Sequence, residues 1–322
     1  MILVTGGAGF IGSALIAELN AIGHRDIFLV DSLGTSEKWK NIANKNIEDY
    51  CHKNDFLKIL DKGLANKSIE CIFHLGACSS TTETDIDYLM ENNFRFSKLL
   101  AQFAFANRIP FIYASSAATY GDGNLGFSDD LSLIDSFVPL NGYAFSKHLF
   151  DKWIIAQKYT SPVCGLKFFN VFGPNEYHKG SMRSVVHKAY HQVKETGEIT
   201  LFKSEHPDYA DGDQKRDFIY VKDVVKIILE CREKGISGIY NLGSGKAQTW
   251  NELAHGVFAA LNFEPKISYT PLPEHLRGKY QYYTCADMKK LTSTGISHTF
   301  LSLKDAIYDY IHNYLDKENQ YL

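Results

Sequence analysis

Two side chains set four residues apart, in Tyr143-Ala144-Phe145-Ser146-Lys147, can together carry out proton-transfer chemistry. A phenol titrates near 10 and is a poor base at neutral pH, but a neighbouring ammonium stabilises the phenolate. The segment continues through Leu149-Phe150 and Trp153-Ile154 with helical spacing, so positions i and i+4 share a face and Tyr143 is poised as a general base beside Lys147. Ser116, at the end of the apolar run Phe111-Ile112-Tyr113-Ala114, adds a hydroxyl able to bond the same substrate oxygen. Strand ends of this kind are where open parallel sheets bind ligands.

A second constellation lies at the N-terminal end. The apolar run Ile2-Leu3-Val4 breaks at Gly6, Gly7, Gly9 and Gly12, and Phe10, Ile11, Leu15, Ile16 and Leu19 then recur at helical spacing. Glycines at 6, 9 and 12 between a strand and a helix let backbone approach a pyrophosphate, which the helix's unpaired N–H groups can hold. Asp31 ends the next apolar run, Ile27 to Val30, where a carboxylate can accept the hydroxyls of an adenosine ribose. These residues predict a bound nicotinamide dinucleotide, whose positive ring adds to Lys147 in stabilising the phenolate. Asp31 alone favours NAD. Lys38 and Lys53 are placed either to neutralise the additional phosphate of NADP or to be solvated surface residues, so the choice between the two stays open at this level.

The elements that must position these groups alternate. Apolar runs at 27–31, 71–74 and 111–114 are separated by helical patterns such as 85–107, which predicts an α/β fold with a parallel sheet covered on both faces. The pattern loosens after Val163-Cys164-Gly165-Leu166, and Lys203 to Asp217 reads as an exposed loop. Strand-like runs return at 218–221 and 239–242. The expected organisation is a dinucleotide-binding unit of residues 1–170 plus about 218–250, interleaved with a substrate-binding unit of 171–217 and 251–322.

Composition narrows the partners. With 322 residues at 45% hydrophobic content the chain can bury a full core, and a net charge of −3 without long Lys/Arg runs argues against nucleic acid. No apolar stretch approaches membrane-spanning length and no leader pattern precedes the first strand, so a cytoplasmic protein is expected. The six scattered cysteines predict reduced, mostly buried thiols, and the twelve histidines form no metal-ligand motif.

The chain resembles the extended short-chain dehydrogenase/reductase superfamily, in its NAD-dependent epimerase/dehydratase branch. The resemblance is carried by GxxGxxG, the FHLGA strand end, SSAATYG, YxxxK and RDFIYVKDV at 216–224, and it covers nearly the whole chain. Within the branch it is most similar to epimerases of ADP-activated heptose, through HLGACSSTTE (74–83), YASSAATYG (113–121), FFNVFGP (168–174), HKGSM (178–182) and YNLGSG (240–245). The resemblance implies a Rossmann-type doubly wound sheet with a smaller interleaved C-terminal substrate domain. It implies tightly held NADP, with NAD as the alternative, and an ADP-heptose substrate. The activity it implies is inversion at carbon 6 through a transient ketone, in the synthesis of lipopolysaccharide core precursors. A homo-oligomer, pentameric in the family, is also implied.

Residue by residue, the same resemblance makes Lys179 a second acid/base opposite Tyr143. It gives the cofactor Phe10, Ile11, Asp31, Ser32, Lys38, Lys53, Leu75, Gly76, Ala77, Cys78, Ser79, Asn92, Lys147 and Val171, besides the three glycines. It gives the substrate Ser116, Asn170, Ser181, Lys188, Phe202, Ser204, Arg216 and Tyr280. The chain departs from the family at Leu75, where an acid is common, and at Lys167, where Arg is usual. It also departs in a longer 203–217 loop and at Lys188, which stands where a His is found while His187 precedes it by one. A UDP-sugar 4-epimerase on the same scaffold is the alternative enzyme. A 4,6-dehydratase would carry an Asp-Glu pair where Ala117-Ala118 stand, and a non-catalytic dinucleotide sensor would be expected to lose Tyr143 or Lys147.

Overall fold

A computed structural model describes residues 1–62, 68–274 and 280–322. Twelve strands occur among the described residues: β1 (Ile2–Thr5), β2 (Ile27–Asp31), β3 (Asp49–His52), β4 (Cys71–His74), β5 (Phe111–Ser116), β6 (Val163–Phe168), β7 (Asn170–Phe172), β8 (Ile199–Phe202), β9 (Lys215–Tyr220), β10 (Gly238–Leu242), β11 (Ala247–Thr249) and β12 (Ile267–Thr270). The α-helices are α1 (Phe10–Ala21), α2 (Lys53–Lys62), α3 (Ile86–Leu89), α4 (Phe96–Ala106), α5 (Gly142–Ile155), α6 (Val185–Thr196), α7 (Val221–Glu233), α8 (Trp250–Leu261), α9 (Lys289–Ser293) and α10 (Leu303–Tyr310).

Seven strands form one wholly parallel sheet in the order β10-β6-β5-β4-β1-β2-β3. Successive side chains of a strand point to opposite faces. Ile2, Val4, Ile27, Leu29 and Phe73 therefore join the core under α1 and α7, while Leu3, Phe28, Val30, Ile72 and Phe111 join the core under α2, α4 and α5. Covering both faces is what makes these strands continuously apolar instead of alternating. The chain winds outward from β1 to β3, then reverses through β4, β5 and β6, so the crevice beyond the C-terminal ends of β1 and β4 is the topological switch point.

The second half builds two small sheets, β11-β9-β7 and the parallel pair β12-β8. Here the structure corrects two readings of the sequence. The strand near 218 does not rejoin the main sheet: β9 pairs with β7 and β11, and the main sheet is regained at β10 beside β6. The stretch 203–217 is a loop only as far as Gln214, since β9 begins at Lys215 and both Arg216 and Asp217 are buried. Asp217 is polar by type yet fully satisfied inside, accepting the N–H groups of Ser244 (2.6 Å), Ala286 (2.9 Å) and Gly245 (3.0 Å).

All six cysteines are free, four of them buried. Among the described residues no His/Cys/Asp/Glu group could hold a metal ion, and no helix is long and apolar enough to cross a membrane.

Candidate active site

The switch-point crevice is a cavity of about 730 Å³. Its floor is the glycine turn. Gly6 has φ of +69°, and a Cβ there would lie 2.5 Å from the backbone nitrogen of Gly76 at the end of β4; a Cβ on Gly12 would lie 2.1 Å from the carbonyl oxygen of Gly6. Neither neighbour is a flexible side chain, so the two positions admit only glycine. α1 starts at Phe10 with no side chain capping its first N–H groups, which leaves donors facing a crevice bare of Cβ atoms. That cradle fits a dinucleotide pyrophosphate.

At the end of β2, Asp31 accepts the Ala8 N–H at 2.9 Å through Oδ2, and through Oδ1 the Ser32 N–H (2.6 Å) and the Lys38 ammonium (2.5 Å). Lys53 Nζ donates to Asn92 Oδ1 at 2.5 Å and lies 5.6 Å from the Tyr88 ring. Burial lowers the Lys53 pKa, with the Asp31 carboxylate pulling it up and the Lys38 ammonium down. One carboxylate and two ammonium groups thus share the same end of the crevice. Neither lysine is a freely solvated surface group.

Tyr143, Lys147, Ser116, Asn170 and Lys179 line the same cavity, together with every residue assigned above to the cofactor. α5 begins at Gly142 with Asn141 as its cap, the Asn141 side chain accepting the Ala144 N–H at 2.9 Å, and this helix presents Tyr143 and Lys147. The Lys147 ammonium donates to the Ala114 carbonyl at 2.9 Å, and burial lowers its pKa to about 8 against the upward pull of Asp151. The protein's own groups raise the Tyr143 pKa: burial outweighs the downward effect of the Ser116 hydrogen bond. Ser116 is itself fixed by capping the turn that follows β5, its Oγ accepting the Ala118 N–H at 3.1 Å.

Lys179 sits in the 177–182 turn, its Nζ 5.4 Å from the Phe10 ring centroid and without an ion pair among the described residues. Burial lowers its pKa; Glu176 opposes that. His178 beside it is held to about 4, chiefly by burial and then by Lys38 and Lys179.

Of the substrate assignments, the structure brings only Ser116 and Asn170 to this cavity. Arg216 and Tyr280 meet in a separate cluster: the buried guanidinium lies 5.1 Å from the Tyr280 ring and 5.7 Å from that of Trp250, whose Nε1 donates to Tyr280 Oη at 3.0 Å. Among the described residues no carboxylate pairs with Arg216. Asp217 is taken by backbone donors and Asp223 by His298 and Leu301. Phe202 and Ser204 border the chain that leads into β9: Gln214 Nε2 donates to the Phe202 carbonyl at 3.5 Å, and the Ser204 N–H donates to Asp211 at 2.8 Å. Ser181 and Lys188 are exposed, outside the cavity, while His187 is buried at the foot of α6.

Several residues that shape the site were not singled out from the sequence. Asn93, fully buried in the π-wound turn Met90–Arg95, grips Cys78 through both its carbonyl (2.9 Å) and N–H (2.8 Å), and donates to Ser146 Oγ (3.0 Å), which in turn donates to the Tyr143 carbonyl. His74 bridges Thr5 (2.6 Å) and Ser97 (2.7 Å) beneath the glycine turn. The signal was present: Leu89, Asn93, Ser97, Leu100 and Ala104 recur at three and four spacing, so two polar side chains interrupt an apolar stripe. Buried polar residues on such a stripe need partners.

Residues 2–243 match the NAD dependent epimerase/dehydratase family. The chain is 50% identical, over the full length of both proteins, to an ADP-L-glycero-D-manno-heptose-6-epimerase of Nitratidesulfovibrio vulgaris, and 45% identical, again over both full lengths, to one of Fusobacterium nucleatum. Among solved structures, the Helicobacter pylori ADP-L-glycero-D-manno-heptose-6-epimerase superposes with a TM-score of 0.81 at 26% identity, covering 97% of this chain and 95% of that one. A UDP-glucose 4-epimerase of Thermotoga maritima superposes at 0.80 and 24% identity, covering 96% and 97%, a likeness of fold.

Proposed function

The chain belongs to the NAD dependent epimerase/dehydratase family, and from that premise we propose that it interconverts ADP-D-glycero-D-manno-heptose and ADP-L-glycero-D-manno-heptose by inverting carbon 6. The observation that carries the reading is one cavity lined by the glycine cradle, by Ser116, Tyr143 and Lys147, and by Lys179 from a different segment of the chain. When bound, the dinucleotide supplies the acceptor and donor of the carbon 6 hydride.

The chain's own residues do the rest. The Gly6-to-Gly12 turn holds the pyrophosphate and Asp31 the ribose. Two ammonium groups beside Asp31, those of Lys38 and Lys53, support NADP as the preferred form. Inversion needs a proton handled from each face of the sugar carbon, which one base is poorly placed to do. Tyr143, assisted by Ser116, serves one face and Lys179 the other, while Lys147 ties α5 to the Ala114 carbonyl. Arg216, buried between two rings without an acid, supports binding of the substrate diphosphate through its planar fork. Association into a homo-oligomer belongs to the same reading, measurable by sedimentation velocity.

The test is to incubate purified protein with ADP-D-glycero-D-manno-heptose in D2O without added cofactor and follow carbon 6 by NMR. Inversion without deuterium at carbon 6, lost in Tyr143→Phe with bound dinucleotide retained, is expected. Deuterium at that carbon refutes internal return of the hydrogen. Failure there with turnover of UDP-galactose moves the assignment to the 4-epimerases, whose fold the chain shares.

A further inference from the structure

Glu176 is 1% exposed and lies at the root of the turn that carries Lys179. Its Oε1 accepts the Ser184 hydroxyl at 2.7 Å, the Tyr310 hydroxyl at 3.0 Å and the Gly173 N–H at 3.4 Å; its Oε2 accepts the Ser184 N–H. Two N–H groups and two hydroxyls donate to the group, an arrangement that favours the ionised carboxylate, which only accepts, against burial, which raises its pKa. Ser184 is also the cap of α6, so the carboxylate sits at that helix's N-terminal end. Between the two clamped residues the chain turns back at Gly180, with φ of +53°.

We propose that Glu176 is a positioning residue for the reaction: it staples residues 173 and 184 together and to α10, and so fixes the height and charge state at which Lys179 meets the substrate. The inference rests on Lys179 being the second acid/base. The staple supplies what Lys179 lacks, since among the described residues its Nζ has no hydrogen bond or ion pair and lies 5.4 Å from the Phe10 ring of α1. Burial disfavours the ammonium and Glu176 is the charged group that opposes this, while His178 on the same turn is kept neutral near pH 7.

The experiment compares Glu176→Gln, Glu176→Asp, Ser184→Ala and Lys179→Ala as full-length enzymes, with kcat and KM for ADP-heptose followed in both directions as a function of pH. In Glu176→Gln, kcat is expected to fall about tenfold or more with KM little changed. The limb belonging to Lys179 moves to lower pH by about one unit in both directions, because loss of the carboxylate leaves burial unopposed. Glu176→Asp restores the position of the limb in part. Ser184→Ala keeps the charge and loosens one staple, so kcat falls several-fold with the profile unmoved; this variant decides the matter should Glu176→Gln not fold. Inactive Lys179→Ala beside wild-type rates and profiles in Glu176→Gln, or wild-type kcat in Ser184→Ala, overturns the role of Glu176 alone. Full turnover by Lys179→Ala overturns the parent reading as well, there being no base to position.

Discussion

Replacing Lys167 by Met probes the buried support behind the Ser115-Ser116 strand end. The Lys167 ammonium lies 2.6 Å from Asp151 Oδ2 and 2.7 Å from Thr119 Oγ1, and both charged side chains are nearly inaccessible, at 3% and 0% exposure. Among the described residues Asp151 otherwise accepts only the Tyr113 hydroxyl (2.9 Å) and the Ser115 hydroxyl (2.6 Å). Methionine fills the volume but strands a carboxylate in the core, and breaking a buried pair from one side costs about 3–5 kcal/mol. Unfolding entropy of about 2.1 cal/mol/K per residue converts that into a fall of roughly 4–7 °C in Tm for a chain of this length. Urea unfolding at neutral pH followed by circular dichroism measures the loss. Adding Asp151→Asn removes the stranded charge, and the double variant should recover at least half of it. A single variant within about 0.5 kcal/mol of the parent, or a double variant less stable than the single, refutes the assignment of this pair as buried and mutually dependent.

Further outcomes follow from the crevice. Gly12→Ala drives a methyl group to 2.1 Å from the Gly6 carbonyl, so the variant should lose copurifying dinucleotide, measured by absorbance after denaturation, even where it still folds. Lys38→Ala with Lys53→Ala should weaken NADP by tenfold or more and leave NAD within about threefold, as titration calorimetry would report; equal losses for both sink the proposed phosphate contact. Burial holds His74 neutral down to about pH 3, whereas the unfolded chain takes up its proton near 6.5. The unfolded state therefore binds more protons in this window, and stability falls as pH drops from about 6.5 towards 3, by about 1.4 kcal/mol per unit below pH 6 for this residue. His178 and His187, also depressed, act in the same direction. Unfolding midpoints at stepped pH should fall accordingly, and a His74→Gln variant that keeps the full slope refutes the attribution.

The parallel sheet was legible because its strands are covered on both faces, so Ile2–Val4, Ile27–Asp31, Cys71–His74 and Phe111–Ala114 stand out as apolar runs and coincide with or lie within β1, β2, β4 and β5. The start of β9 was hidden for the opposite reason. Lys215-Arg216-Asp217 reads as polar loop, yet stacking on Trp250 and Tyr280 and three backbone N–H donors to Asp217 supply inside the protein what water supplies outside. The crevice residues were readable because glycine spacing and strand-end position are local properties of the chain. The Lys179 staple was not, since Glu176 acquires its meaning from Tyr310, which is 134 positions away. Lys188 illustrates the limit of matching by position: one residue of helical phase separates its exposed side chain from the buried His187.

The two proposed acid/base groups are biased by the same physical cause in opposite titration directions. Burial raises the phenol of Tyr143 and lowers the ammonium of Lys179, so each is driven towards its uncharged form, one holding a proton and the other lacking one. Inversion through a ketone uses one group to accept the hydroxyl proton and the other to return a proton from the second face. A turnover that begins from the two uncharged forms exchanges their states and leaves a phenolate and an ammonium, the two forms that burial disfavours. The reverse direction begins from that charged pair, and the Glu176 carboxylate pulls Lys179 towards its charged form. Any change that deepens burial around Lys179 should accordingly slow both directions together, because the equilibrium between the two epimers fixes the ratio of their kcat/KM values.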